Sequence, residues 1–186
     1  LSRPTDVSKY GLIYFGVQKN VAPAGMAVAI VREDLLENAR TDLARPAMLD
    51  YKTLIDARSM YNTPNCWSIY MMGLVLHWIE NEVGGLTEME KRNNAKAQLL
   101  YDYLDQSSFF QNPVNKADRS IMNVTFTSPS KELDAKFCQE AAEAGLVNLK
   151  GHRSVGGMRA SIYNAMPLDG VQALVAFMKE FEARNG

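Results

Sequence analysis

Two short runs near the start of the chain constrain its fold most: GLIYFG at 11–16 and MAVAIV at 26–31. Each is continuously apolar, bounded by glycine or loop residues, and too short for a helix of ordinary length. Unbroken hydrophobicity, without the alternation of a half-wet strand, predicts strands in a sheet covered on both faces. One short helix, REDLLENAR, follows, and then an irregular stretch at 40–64 with Pro46 and Pro64 as breakers. Two strands and one helix cannot cover a sheet twice. The first segment therefore needs either another chain to pack on or more of its own domain.

From Asn65 the pattern turns helical, with Ile69, Met72, Val75, Leu76 and Ile79 at three- and four-residue steps up to Gly84-Gly85. A second helix is predicted from Thr87 to about Asp105, with Met89, Leu99, Leu100 and Leu104 on its apolar side and Thr87 with Glu90 as a capping box. Beyond it, SIMNVTFT (120–127) reads as a strand and SPSKELDAKFCQEAAEAG as a capped helix stopped by Gly145. LVNLKG and GMRASIY (157–163) read as two more strands. In PLDGVQALVAFMKEFEAR, residues Val171, Leu174, Val175, Met178 and Phe181 form one apolar helix face. Strand, helix, strand, strand, helix is the order of a small α+β unit. The spacing puts a domain boundary at 82/83, giving segments 1–82 and 83–186.

The chemistry classes narrow quickly. A formal net charge of −1 supplies no overall field to recruit nucleic acid or an acidic membrane surface. The run IYMMGLVLHWI (69–79) is too short to span a bilayer, and His77 within it reads as a packed core histidine. Cys66 and Cys138 show neither metal-ligand spacing nor a disulfide framework, and read as buried thiols of a cytoplasmic protein. No metal-binding spacing, P-loop or GxSxG motif occurs.

Three stretches remain. Lys19, in GVQKNVAPAG, leaves a strand beside Gln18 and Asn20 without a neighbouring carboxylate. It is either an exposed loop lysine or, in a partly desolvated site, an amine able to condense with an aldehyde. SMYNTPN (59–65) carries Asn62 and Thr63 just before the long helix, as an N-cap or as a cradle for a phosphate. LKGHRSVGGMRASIYN (149–164) gathers Lys150, His152, Arg153 and Arg159 around three glycines without an acidic residue. A solvated basic face, a nucleic-acid patch and a pocket for a small polyanion compete there. Glycines weaken the first reading, since they cost chain entropy and gain nothing on an ordinary surface. Arg159 lies in an alternating strand pattern, and its planar fork suits a carboxylate.

Taken in order, GVQKNVAPAG, SMYNTP and KGHRSVGGMRASIYNA resemble the phosphoserine aminotransferase family, of pyridoxal 5′-phosphate enzymes, and the similarity runs from residue 6 to residue 184. The resemblance implies an α/β, aspartate-aminotransferase-like fold type I: 1–82 ends the large cofactor domain, and 83–186 is the small C-terminal α+β domain. It implies that Lys19 carries the cofactor as an imine and acts as the catalytic base, while Gln18, Asn62 and Thr63 contact the cofactor phosphate. Asn62 and Thr63 would do so across a homodimer interface. His152 and Arg153 would grip the substrate phosphate and Arg159 its α-carboxylate. The implied reaction interconverts O-phospho-L-serine and 3-phosphohydroxypyruvate with glutamate and 2-oxoglutarate, in serine biosynthesis. The family chain is about twice as long, and the resemblance places this stretch in its C-terminal half. The half that precedes it carries the aromatic residue and the aspartate that hold the cofactor ring, so 1–186 alone is expected to be incompetent. Another fold-type I aminotransferase, or a non-catalytic dimerising fragment, is the alternative.

Overall fold

The computed structural model describes residues 1–40 and 42–186. They divide into two compact units, one made essentially of Arg3–Gly85 and the other of Leu86–Gly186 with Ser2.

In the first unit, β1 (Leu12–Gly16) and β2 (Ala27–Val31) form an antiparallel hairpin with Leu12 opposite Val31 and Gly16 opposite Ala27. The strands fall where the apolar runs predict them, but their expected burial is not met. No side chain of either strand is buried, and Tyr14 is 77% exposed. A continuous apolar run records the cover a strand is suited to, and the described residues of this unit do not supply that cover.

α1 (Glu33–Glu37) follows, with the Arg32 guanidinium forked onto Asp34. Within the stretch expected to be irregular, in which Thr41 lies outside the described residues, α2 (Tyr51–Asp56) forms. Its cap is Asp50, whose carboxylate accepts from the Lys52 amide at 3.1 Å. α3 (Cys66–Trp78) starts at Asn65, whose Oδ1 accepts from the Ser68 amide at 3.1 Å. The helix widens into a π turn over Ile79–Val83 and stops at Gly84, which takes a left-handed conformation at φ 94°. Apolar residues ring α3: Trp67, Ile69, Tyr70 and Leu74 are exposed, and only Ile79, in the π turn, is buried from the expected face. His77 and Cys66 are exposed too, which overturns their reading as core residues.

The second unit is built on α4 (Leu86–Gln106), α5 (Lys131–Glu143), α6 (Leu168–Asn185) and the antiparallel pair β3 (Asn123–Phe126) and β4 (Met158–Ser161). Thr87 is the second residue of α4, so it does not cap it. Ser130 caps α5 by accepting from the Leu133 amide, and Gly145 ends it at φ 86°. The expected strand at 146–151 is reduced to a bridge between Lys150 and Met158. Val124, Phe126, Met158 and Ala160 point from the two strands into a core closed by Leu100, Phe137 and Phe181 of the helices. All five predicted residues of the α6 face are buried there. Alternation then sends Thr125, Arg159 and Ser161 to the other face of the strand pair.

Candidate functional site

Lys19 stands in the turn that leaves β1, in a left-handed conformation at φ 86°. A lysine adopts that conformation only when its surroundings impose it. Here the Val17 carbonyl accepts from the amides of Ala22 at 2.8 Å and Val21 at 3.2 Å, and the Val17 amide donates to Met26 at 3.2 Å. Val17 is fully buried and Val21 nearly so, which anchors the turn beneath Lys19. Gln18 and Lys19 are themselves exposed, so the partial desolvation expected of Lys19 is not supplied within its own unit.

The same loop is tied to the start of α3. Asn65 Nδ2 donates to the Gly25 carbonyl at 3.4 Å, and the buried Ser68 hydroxyl reaches the Pro23 carbonyl at 3.5 Å. Because Asn65 takes the cap, Asn62 and Thr63 are released from that role. Both are exposed, and Asn62 Nδ2 lies 3.0 Å from the Met48 sulfur. One network therefore joins the loop that carries Gln18 and Lys19 to the helix that follows Asn62 and Thr63.

In the second unit the glycine-rich loop folds back on itself. Gly151 donates to the Gly157 carbonyl at 2.8 Å, and the His152 carbonyl accepts from Val155 at 2.9 Å and Gly156 at 2.8 Å. A Cβ on Gly151 would collide with the carbonyls of Gly156 and Gly157, and Gly156 itself is left-handed at φ 81°. The loop borders a cavity of about 580 Å³, whose walls include Lys131, Lys150, His152 and Arg153. Neither lysine nor Arg153 forms a salt bridge among the described residues, and Lys131 acts on the neighbouring Glu132 carboxylate only through its field. Asp134 lies on the same wall, but its carboxylate accepts from the Ser128 amide and hydroxyl. Cys138 also lines the cavity, and burial pushes its thiol up, away from the thiolate form.

Arg159 is not part of that cavity wall. It faces Thr125 across the strand pair, its Nε is buried, and that nitrogen has no hydrogen-bond partner among the described residues. A buried guanidinium nitrogen left so is a donor waiting for an acceptor. The structure thus joins His152 and Arg153 in one cavity and holds Arg159 apart, two residues beyond Gly157.

Several polar residues escaped the reading of the sequence. Lys131, the first residue of α5, joins the cationic cavity. Lys96, only 2% exposed, donates to the carbonyls of Tyr163 at 2.7 Å and Ile162 at 3.2 Å. Asn93, fully buried, donates to Asn164 Oδ1 at 2.9 Å and to the Ser2 carbonyl at 3.1 Å. Met89, Asn93, Lys96 and Leu100 recur at helical spacing, so the signal was two polar residues inside an apolar stripe.

Among the described residues no group of histidines, cysteines or carboxylates is placed to hold a metal ion, and no helix is long and apolar enough to cross a membrane. The family called aminotransferase class-V matches residues 1–174. Phosphoserine aminotransferase of Nitrosomonas europaea is 62% identical over 185 residues, covering 100% of this chain and 50% of the relative. A solved structure of phosphoserine aminotransferase from Bacillus circulans subsp. alkalophilus superposes with a TM-score of 0.94 at 48% identity, covering 100% of this chain and 51% of that one. A phosphoserine aminotransferase from Trichomonas vaginalis, solved with PLP bound, superposes with a TM-score of 0.89 at 41% identity, over 96% of this chain and 51% of its own. The chain spans about half the length of the curated relatives it matches.

Proposed function

The chain belongs to the aminotransferase class-V family, with the fold of fold-type I aminotransferases, and from that premise we propose that it is half of a phosphoserine transaminase. In the whole protein it would exchange an amino group between O-phospho-L-serine and 2-oxoglutarate, giving 3-phosphohydroxypyruvate and glutamate, as a step of serine biosynthesis in the cytoplasm. The observation that carries the substrate is the pair of separate cationic sites in the second unit. One is the cavity with His152 and Arg153, and the other is Arg159 with its unsatisfied buried Nε. A small molecule with a phosphate and a carboxylate uses both. Glutamate fits the same pair through its two carboxylates.

The residues present fit pyridoxal 5′-phosphate. The Lys19 turn is set by backbone hydrogen bonds on buried Val17, so its amine is presented by a rigid element rather than by side-chain preference. Gln18, Asn62 and Thr63 are exposed donors suited to a phosphate. When bound, the cofactor supplies an electron sink that makes the substrate Cα–H acidic. The chain's own part is then simple. Arg159 fixes the α-carboxylate through two parallel hydrogen bonds, and His152 and Arg153 fix the far anion, which orients Cα. The Lys19 amine takes the Cα proton and later returns one as a general acid. Asn62 and Thr63 act on a second copy of the chain in a homodimer.

The rest of such a protein supplies what holds the cofactor ring, so residues 1–186 alone are expected to be inactive. The test uses the full-length protein. Lys19→Ala should lower turnover by about 10²–10⁴-fold or more and remove the mass added when borohydride fixes the cofactor to the chain. A Lys19→Ala protein still labelled at another lysine would refute the assignment.

A further inference from the structure

We infer that Ser154 is a positioning residue for His152, setting which ring nitrogen carries the proton and so how the loop meets a phosphoryl group; the phosphoryl part rests on the function proposed above. The Nδ1 atom of His152 lies 2.7 Å from the Ser154 hydroxyl and 3.4 Å from the Ser154 amide nitrogen. A backbone amide only donates, so in this geometry Nδ1 must offer its lone pair. The proton of the neutral ring then belongs on Nε2, and the Ser154 hydroxyl donates as well.

The consequence for a ligand is direct. An ionised phosphate ester offers acceptors only. His152 lines the cavity and its Nδ1 is engaged by Ser154, which leaves Nε2 as the ring nitrogen open to a ligand. With the proton there the ring offers that ligand a donor, whereas the other tautomer would offer a lone pair and repel it. Ser154 can fix this choice because its place relative to His152 is itself fixed. The His152 carbonyl holds the amides of Val155 and Gly156, and Gly151 is bonded to Gly157 at the loop's base. Without the Ser154 hydroxyl, one weak amide contact would remain to bias an exposed ring between two tautomers of similar energy.

The test uses full-length holoprotein with ¹⁵N-labelled histidine rings, studied by NMR where the ring is neutral, with the His152 signals identified by their loss in His152→Gln. The expected result is an unprotonated Nδ1 and a protonated Nε2. In Ser154→Ala both nitrogens should move toward the shifts of exchanging tautomers. KM for phosphoserine should rise about 2- to 10-fold, the worth of one hydrogen bond, with kcat little changed. Ser154→Thr, which keeps a hydroxyl, should restore both readouts. A wild-type ring protonated on Nδ1, or a Ser154→Ala ring with unchanged nitrogen shifts, overturns the inference. A wild-type protein that does not turn over phosphoserine overturns the substrate assignment alone, and the nitrogen shifts still decide the role of Ser154.

Discussion

In the second unit Phe110, Phe126, Phe137 and Phe181 are each fully buried, while in the first unit Tyr14, Trp67 and Tyr70 are 61–77% exposed. The sequence is no less apolar where it is exposed. The difference lies in what stands opposite. In the second unit three helices and a strand pair close on one another, and their aromatic rings meet edge to face, as Phe126 and Phe137 do at 5.7 Å between centroids. In the first unit only Val17, Val21, Ile79 and Val83 are buried apolar residues among those described. On the proposed reading, the other half of the protein covers the rest. Hydrophobicity in a sequence states a requirement for burial, and only the partners decide whether it is met.

The most severe way to break this comparison is to separate the units. Residues 86–186 produced alone should unfold in one cooperative step, and residues 1–85 alone should show none, as followed by circular dichroism against urea. A sharp transition in 1–85 would end the contrast. Point substitutions sharpen it in the 186-residue chain. Phe137→Ala, which empties the centre of the ring cluster, should cost about 3–5 kcal/mol. Trp67→Ala should stay within about 0.5 kcal/mol there, and should cost more in the full-length protein if that surface is then covered.

The contrast also explains how much was legible. The α6 face was readable because its apolar spacing and its burial coincide residue by residue, from Val171 to Phe181. The α5 cap was readable because Ser130 and Gly145 act on their own neighbours. The span of α3 was readable too, from Asn65 to Gly84, but its buried face was not, since apolar residues surround the helix and no single face stands out. α2 hid in a stretch whose prolines and polar residues suggested only loop. At the candidate site, the glycine-rich loop announced itself by glycines that a tight backbone approach requires, as at Gly151. Lys19 stood out only as one of two readings, an exposed loop lysine or a reactive amine. Its left-handed turn was not legible, because that angle is imposed by the hydrogen bonds on Val17 and no residue type encodes it. Lys131 and Lys96 were missed because their roles come from segments about twenty and more than sixty residues away.

Lys96 gives a gentler test, through pH. Burial pushes its ammonium down from 10.5 to about 8. Between those values the unfolded chain holds the proton and the folded chain does not, so this group makes stability rise with pH across that window. Below about pH 8 both states are charged and the full penalty is present. Urea midpoints measured across the window should show that rise in wild type, and Lys96→Met should flatten it. An equal slope in both would mean the ammonium is well solvated.

The smallest expected effects compare two helix caps, one from each unit. Ser130→Ala removes the acceptor for the Leu133 amide and should lower the stability of the second unit by about 1 kcal/mol. Asn65→Ala removes a similar acceptor, for the Ser68 amide, but also the donor to the Gly25 carbonyl in the Lys19 loop. Its effect should therefore appear locally rather than as a global loss. Amide exchange at Val21 and Ala22, whose hydrogen bonds to Val17 close the Lys19 turn, should accelerate in Asn65→Ala and stay unchanged in Ser130→Ala. If both variants left those amides alike, the cap of α3 would be no part of what holds Lys19 in its left-handed turn.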